Sequence, residues 1–242
     1  FIMPQLTSDS FFNGRIQIRQ NRTGYRFSID AVLLAYHVRP RPGDRVLDLG
    51  TGCGIVPLIL AFRHPDITIY GIEIQQELCE LGISNVSSNH MQDRITMLCQ
   101  DMKELKPYSI DGPVDLVVCN PPYRKSNSGR LNPDQQRAVA RHEIKTTLPD
   151  VILAARRMLR TAGKLVMIYA AERTAELITQ MNTNGIEPKL LRSIHSGQGT
   201  AAKLVLVEGS QGGRSGTNIA PPLILYDDDG EYTPEVLRMF EP

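Results

Sequence analysis

The sequence predicts an α/β protein built on a mostly parallel sheet with crossover helices, helices on both faces and an antiparallel strand at one edge. Three observations carry this. Short apolar runs of strand length alternate with helical stretches across the middle of the chain, and several of these runs end at Gly, Pro or an acidic residue. The last two strand-like runs are joined by a Gly-containing turn, as in an antiparallel pair. The 242 residues suffice for one large domain with its own core.

The elements follow in order. In Gly14-Arg-Ile-Gln-Ile-Arg-Gln20, Ile16 and Ile18 share one face while Arg15 and Arg19 share the other, as in an edge strand or hairpin arm. Arg22, Gly24 and Tyr25 lead to Ser28-Ile-Asp-Ala-Val-Leu-Leu-Ala-Tyr36, a helix that Ser28 or Asp30 can cap and that Pro40, Pro42 and Gly43 end. Strands are expected at 45–49, at 67–72 ending on Glu73, at 95–98 ending near Asp101, and at 114–119. Helices at 55–62 and 76–89 separate the first three. A polar insertion, 124–147, precedes a helix at 149–160, after which Gly163 turns the chain into a fifth strand at 164–169. A helix at 172–184 is followed by the antiparallel pair, 188–194 and 202–208. The Gly/Ser/Arg stretch 210–216 reads as a mobile loop, and the tail beyond it is apolar enough to dock back. With no internal repeat, the expected organisation is one domain over 1–242: an extension at 1–40, a core at 41–209, and the loop and docking tail at 210–242.

Composition bounds the function. A net charge of +1 gives no global field for nucleic acid, so such affinity must come from a local basic face. The four cysteines, Cys53, Cys79, Cys99 and Cys119, are widely spaced, with no Cys-x-x-Cys pair and no zinc-like His spacing. A reduced, cytoplasmic protein without a metal site is the expectation. No run approaches the length that spans a bilayer, and the opening Phe1-Ile-Met-Pro-Gln5 does not read as a leader. An opening on Phe1 agrees with a trimmed amino terminus.

The site signals begin with Asp115-Leu-Val-Val-Cys-Asn-Pro-Pro-Tyr123. Consecutive prolines cannot continue a buried strand, so the chain leaves the sheet at Asn120, with its side chain, the Pro121 carbonyl and Tyr123 on a stiff turn. Ligands of open α/β sheets sit at such strand ends, though taken alone the turn is equally an ordinary strand terminator. After the first strand comes Asp48-Leu-Gly50-Thr51-Gly52-Cys-Gly54-Ile55. Its glycines let the backbone turn and touch a ligand, but Ile55 stands where a dinucleotide enzyme places its third glycine. The mismatch favours a cofactor without a pyrophosphate. Glu73 is placed to accept a ribose diol, and Asp101 lies one strand further along the same rim. The bland readings are a solvated carboxylate for Glu73 and a helix cap for Asp101.

In that order and spacing, Asp48 to Gly54, Glu73, Asp101 and Asn120-Pro121-Pro122-Tyr123 resemble the class I S-adenosylmethionine-dependent methyltransferases that act on planar amino groups. The blocks Gly24 to Ala35, Ala140-Arg-His-Glu143 and Pro221 to Glu235 look like those of the bacterial valine-tRNA adenine-N6 methyltransferases, a resemblance running nearly end to end. It implies a Rossmann-like, seven-stranded fold, and S-adenosylmethionine held by Tyr25, Phe27, Asp48, Gly50, Thr51, Gly52, Gly54, Glu73, Ile74, Asp101, Met102 and Asn120, with S-adenosylhomocysteine as product. The extension at 1–40 would cover the methionine end of the cofactor, although plain packing serves equally well for Tyr25 and Phe27.

An aromatic exocyclic amine is a poor nucleophile because its lone pair is delocalised. If Asn120 and the Pro121 carbonyl accept its two N–H bonds, the nitrogen can pyramidalise, while Tyr123 stacks on the base and fixes its plane. Cys53 and Cys119 read as packing residues, since no base at motif spacing would activate either thiol. Arg124, Lys125, Arg130, Arg137 and Arg141 in the insertion form a basic run beside the proposed pocket; such runs are often only a solvated face, but here the position suits RNA phosphates. His142 lacks a partner at metal spacing, and Asp227-Asp-Asp-Gly230 reads as a turn. A tRNA is therefore the expected partner. Glutamine methylation in a release factor uses the same four-residue motif and stays open, as does a cofactor- or RNA-binding module without catalysis. The flanking blocks, the basic insertion and the want of a separate amino-terminal helical domain favour RNA.

Overall fold

The computed structural model describes residues 6–21, 28–121 and 146–242. The described chain opens with an antiparallel hairpin, β1 (Leu6–Phe11) and β2 (Ile16–Asn21). It forms its own two-stranded sheet rather than an edge of the main one. Ile16 and Ile18 are buried while Arg15 and Arg19 stay exposed, as the alternation demands.

The main sheet takes β3 (Arg45–Leu49), β4 (Thr68–Glu73), β5 (Ile95–Cys99), β6 (Val114–Cys119), β7 (Leu159–Ala170), β8 (Ile186–His195) and β9 (Ala202–Gln211) in the order β8-β9-β7-β6-β3-β4-β5. Only β9 runs against the others, and it lies one place in from the edge expected for it, with β8 outside. The tail widens the seven strands to nine through β10 (Asn218–Ile219) and β11 (Leu223–Ile224), both parallel to β8. β7 starts at Leu159, earlier than Gly163 suggested. The partner of β7 shifts between Val114 and Leu116, and this irregularity takes in Gly163, where a Cβ would lie 2.8 Å from the Arg160 carbonyl oxygen.

Helices cover both faces. α1 (Ile29–His37), α2 (Ile55–Arg63) and α3 (Gln76–Ser88) pack with the hairpin on one side, and α4 (Leu148–Met158) and α5 (Thr174–Thr183) pack on the other. α2 is buried from Ile55 to Ala61 because it lies between sheet, hairpin and α1. α4 is amphipathic and starts with a reciprocal cap: Thr147 N donates to Asp150 Oδ2 at 2.8 Å while Thr147 Oγ1 accepts from Asp150 N.

The stretch 210–216, expected to be a free loop, is tied down. β9 runs on to Gln211, Gly212 N donates to the Gly185 carbonyl at 2.9 Å, and Lys189 Nζ donates to the carbonyls of Arg214 and Gly216 at 2.9 and 2.6 Å. The tail docks as expected. Val236 and Met239 are buried, and Phe240 stacks between Phe11 and Tyr232. Asp227 to Gly230 is a turn in which Asp227 Oδ1 accepts from Asp229 N and Glu231 N. The reading of all four cysteines as reduced thiols is overturned: Cys79 and Cys99 form a disulfide. α3 lies against β5 and brings together residues that no sequence motif pairs. Cys53 and Cys119 are free and buried, as packing residues should be.

Two amides fix the hairpin to the body. Asn85 Oδ1 accepts from Arg19 N at 2.9 Å, and its Nδ2 donates to the carbonyls of Arg19 and Cys53, both at 2.9 Å. Asn89 repeats the pairing with Gln17, at 2.9 and 2.7 Å. Four helical residues rise about 6 Å and two strand residues about 6.6 Å, so α3 offers amides at nearly the spacing a neighbouring strand would. Asn85→Ala would remove the side-chain partner of one buried and two partly buried backbone groups and is expected to cost about 2–3 kcal/mol. Chemical denaturation checks this, and a loss no larger than that of the more exposed Asn89→Ala would show the ladder to be incidental.

Candidate active site

The parallel register builds the site. Leu49 of β3 pairs with Cys119 of β6 and with Ile72 of β4, and Glu73 of β4 pairs with Cys99 of β5. The next residues, Asn120, Gly50, Ile74 and Gln100, therefore leave the sheet side by side at the carboxyl ends of four strands, where the order reverses between β3 and β6. All four line one solvent-open cleft, together with Leu49, Gly52, Ile72, Glu73, Leu78, Met102, Cys119, Pro121, Thr146 and Val151.

The glycine loop turns back over β4: Gly50 N and Thr51 N both donate to the Ile72 carbonyl, at 2.9 and 3.0 Å. Gly50 and Gly52 hold φ values of 74° and 58°, a region costly for residues with a Cβ. Glu73, 1% exposed, anchors the turn, with Oε2 accepting from Gly52 N and Oε1 from Gln75 N, both at 2.9 Å. A carboxylate offers about four lone-pair sites, so two remain for a ligand in the cleft.

Seven of the residues read from the sequence thus line the cleft: Gly50, Gly52, Glu73, Ile74, Met102, Asn120 and Pro121. Asp48 and Thr51 are buried behind its wall, and Gly54 heads α2 in a left-handed conformation. Burial raises the Asp48 carboxyl to about 7, and the Glu73 charge adds to the rise. Asp101 stands beside the cleft and not in its wall. Its Oδ1 accepts from Lys103 N at 2.9 Å, a local cap, while Oδ2 is 3.6 Å from Lys103 Nζ. Burial pushes Cys53 up to about 12 and Cys119 well above its ordinary range, so neither thiol is a nucleophile. Tyr25, Phe27, Pro122, Tyr123, Arg124, Lys125, Arg130, Arg137 and Arg141 lie outside the described residues, as does His142.

Sequence reasoning missed Gln100, Leu78 and Val151. Gln100 could have been found, since strand pairing puts it next to Ile74; Leu78 and Val151 enter from the helices α3 and α4, and helix packing is not legible in spacing. Among the described residues no group of three His, Cys, Asp or Glu could hold a metal, and no helix is long and apolar enough to cross a membrane.

Residues 26–184 match the family model of the methyltransferase small domain. The chain belongs to that family. A tRNA1(Val) (adenine(37)-N6)-methyltransferase of Porphyromonas gingivalis is 30% identical to this methyltransferase, covering 98% of this chain and 95% of its own. A protein of the same description from Tolumonas auensis is 26% identical, with 95% and 94% covered. The solved structure of a predicted O-methyltransferase from Agrobacterium tumefaciens matches the methyltransferase with a TM-score of 0.70 at 23% identity, over 87% of this chain and 94% of that one, so the two share the Rossmann-like fold.

The cleft fits a nucleoside with a charged aliphatic arm. Gly50 leaves open space where a Cβ would stand, Glu73 has acceptor capacity for a diol, and Ile74, Leu78 and Met102 offer apolar surface to a base. Glu73→Ala is expected to weaken S-adenosylhomocysteine binding by at least tenfold, measured by calorimetry. An unchanged affinity would remove Glu73 from the cofactor assignment.

Asp48 sets a pH dependence. Its folded pKa lies above its unfolded value, so its contribution favours the folded state below pH 4 and is lost as pH rises to about 7. Asp48→Asn should therefore raise the melting temperature of the ligand-free protein at pH 8 relative to wild type, and the gain should shrink toward pH 5. A mutant gain that does not depend on pH would contradict the assignment.

Proposed function

We propose that this methyltransferase transfers the methyl group of S-adenosylmethionine to the exocyclic N6 amine of an adenine in tRNA, within the anticodon loop of a valine tRNA, and releases S-adenosylhomocysteine. The observation that carries the reading is that Asn120 and Pro121 line the same cleft as Gly50, Gly52 and Glu73, so acceptor and donor groups meet at adjacent strand ends. The end-to-end similarity to relatives described as tRNA1(Val) methyltransferases supports the choice of substrate.

Bound in the cleft, S-adenosylmethionine supplies an electrophilic methyl on a sulfonium. The chain's own residues orient the acceptor. Asn120 Oδ1 and the Pro121 carbonyl accept the two N–H bonds of the amine, which frees its lone pair for in-line attack without a strong base. Both line the cleft beside the apolar side chains of Cys119 and Val151. Asp48, Glu73 and the glycine loop hold the donor side, with Gly54 setting the start of α2 and Thr51 packed beneath. We assign Tyr123 to stacking on the base, Tyr25 and Phe27 to covering the methionine end, and Arg124, Lys125, Arg130, Arg137 and Arg141 to RNA phosphates. The reading places the protein in the cytoplasm with its tRNA and calls on no metal.

Labelled cofactor incubated in parallel with total tRNA and with a release factor tests this. N6-methyladenosine in the tRNA is expected; label in a glutamine would overturn the RNA assignment, and no transfer to either would overturn the activity. Asn120→Ala should lower turnover by about 10²–10³-fold, the scale of losing one positioned polar contact, while S-adenosylhomocysteine affinity stays within a few-fold. Lost affinity with retained turnover would move Asn120 to the donor side. Binding of tRNA should fall steeply with salt because phosphates supply the contact.

A further inference from the structure

The disulfide between Cys79 and Cys99 crosses the end of the sheet at the cofactor side of the cleft. Cys79 sits in the first turns of α3, directly after Leu78, which lines the cleft; Cys99 ends β5, directly before Gln100, which also lines it. The bond therefore joins two walls: Ile74 and Leu78 on one side, Gln100 and Met102 on the other. α3 in turn grips the glycine loop. Asn85 Nδ2 donates to the Cys53 carbonyl at 2.9 Å, and Gly82 packs so closely that a Cβ there would lie 2.4 Å from Met97 Cε and 3.4 Å from the Gly52 carbonyl oxygen. Any shift of α3 relative to β5 is thus felt at Gly52 and Glu73. The two residues differ in access, for Cys79 is fully buried and Cys99 is exposed.

We infer that Cys79–Cys99 is a thiol–disulfide exchange site that sets the affinity of the cleft for its nucleoside cofactor, tight when oxidised and weaker when reduced. The inference rests on the cleft being the cofactor site. A small thiolate attacks the sulfur of Cys99, the exposed residue of the pair, forms a mixed disulfide there and expels the Cys79 thiolate, which takes up a proton. A second thiolate attacks the small-molecule sulfur of that mixed disulfide and frees Cys99. The protein disulfide gains two electrons and two protons, and two small thiols become one small disulfide. Reduction leaves α3 held by Asn85, Gly82 and the core, so it loosens the wall without unfolding the domain.

The test compares the full chain after oxidation with diamide and after reduction with dithiothreitol, counting free thiols in denaturant, and measures S-adenosylhomocysteine affinity by calorimetry in each state. Reduction is expected to weaken binding about fivefold or more, the scale of coupling between linked sites. Cys99→Ser, at the exposed end, should bind like the reduced protein and ignore dithiothreitol; Cys79→Ser should do the same if it folds. A lower melting temperature on reduction with affinities equal within about twofold would make the bond a structural staple only and overturn the inference. Failure to form the bond under diamide would overturn it as well. Because the assay contains no RNA, an error in the tRNA assignment would not touch it, whereas absence of binding in both states would sink the cofactor reading and this inference together.

Discussion

The hydrogen-bond register of four parallel strands is the constraint on which the site depends. A one-residue slip moves every side chain of a strand to the opposite face, and here both faces of β3, β4 and β6 are packed, Val46, Ile69 and Val118 into one core and Leu47, Ile72 and Val117 into the other, so a slip would disrupt both. With Leu49, Ile72, Cys119 and Cys99 held by that pairing, the chain has no freedom in where Gly50, Glu73, Asn120 and Gln100 emerge. The cleft is a by-product of the sheet's own packing, so its polar groups are positioned before any ligand arrives.

The second layer of order comes from α3. The helix is pressed against β5 and the glycine loop through Gly82 and Met97, and its asparagines reach outward to hold the hairpin. One helix thereby carries the amino-terminal extension, the loop and a cavity wall as a unit. Small residues make this close approach possible. Gly71 in β4 serves the same end, since a Cβ there would lie 2.8 Å from Met97 Sδ and 3.0 Å from Thr51 Cγ2.

Much of this was legible in the sequence, for reasons that differ by element. The strands 45–49 and 114–119 were read without error because both are mostly apolar runs stopped by hard punctuation, Gly50 after one and Asn120-Pro121 after the other. The early start of β7 was not, because residues 160–163 read as a turn and have no partner in β6, whose pairing passes from Leu159 to Lys164. That Glu73 and Asn120 line the cleft was legible because both stand at the carboxyl ends of strands. Asp101 was displaced from the wall by a local event, the capping of Lys103 N, that competes with any outward role. The disulfide could not be read at all: Cys79 and Cys99 meet through helix-on-sheet packing, which depends on how α3 lies rather than on spacing.

The pair of buried acids gives the cleft its electrical character. Asp48 and Glu73 are 2% and 1% exposed, and burial, with a smaller contribution from the Glu73 charge, raises the Asp48 carboxyl to about 7. Asp48 therefore ionises only near neutrality, and no buried cation is paired with either acid among the described residues, so a cationic occupant would favour its charged form. Under the proposed function the donor carries a sulfonium charge and the product does not. On that reading the ionised Asp48 would favour the charged donor over the neutral product, so one placement of two carboxylates would serve both the preference for substrate and the release of product.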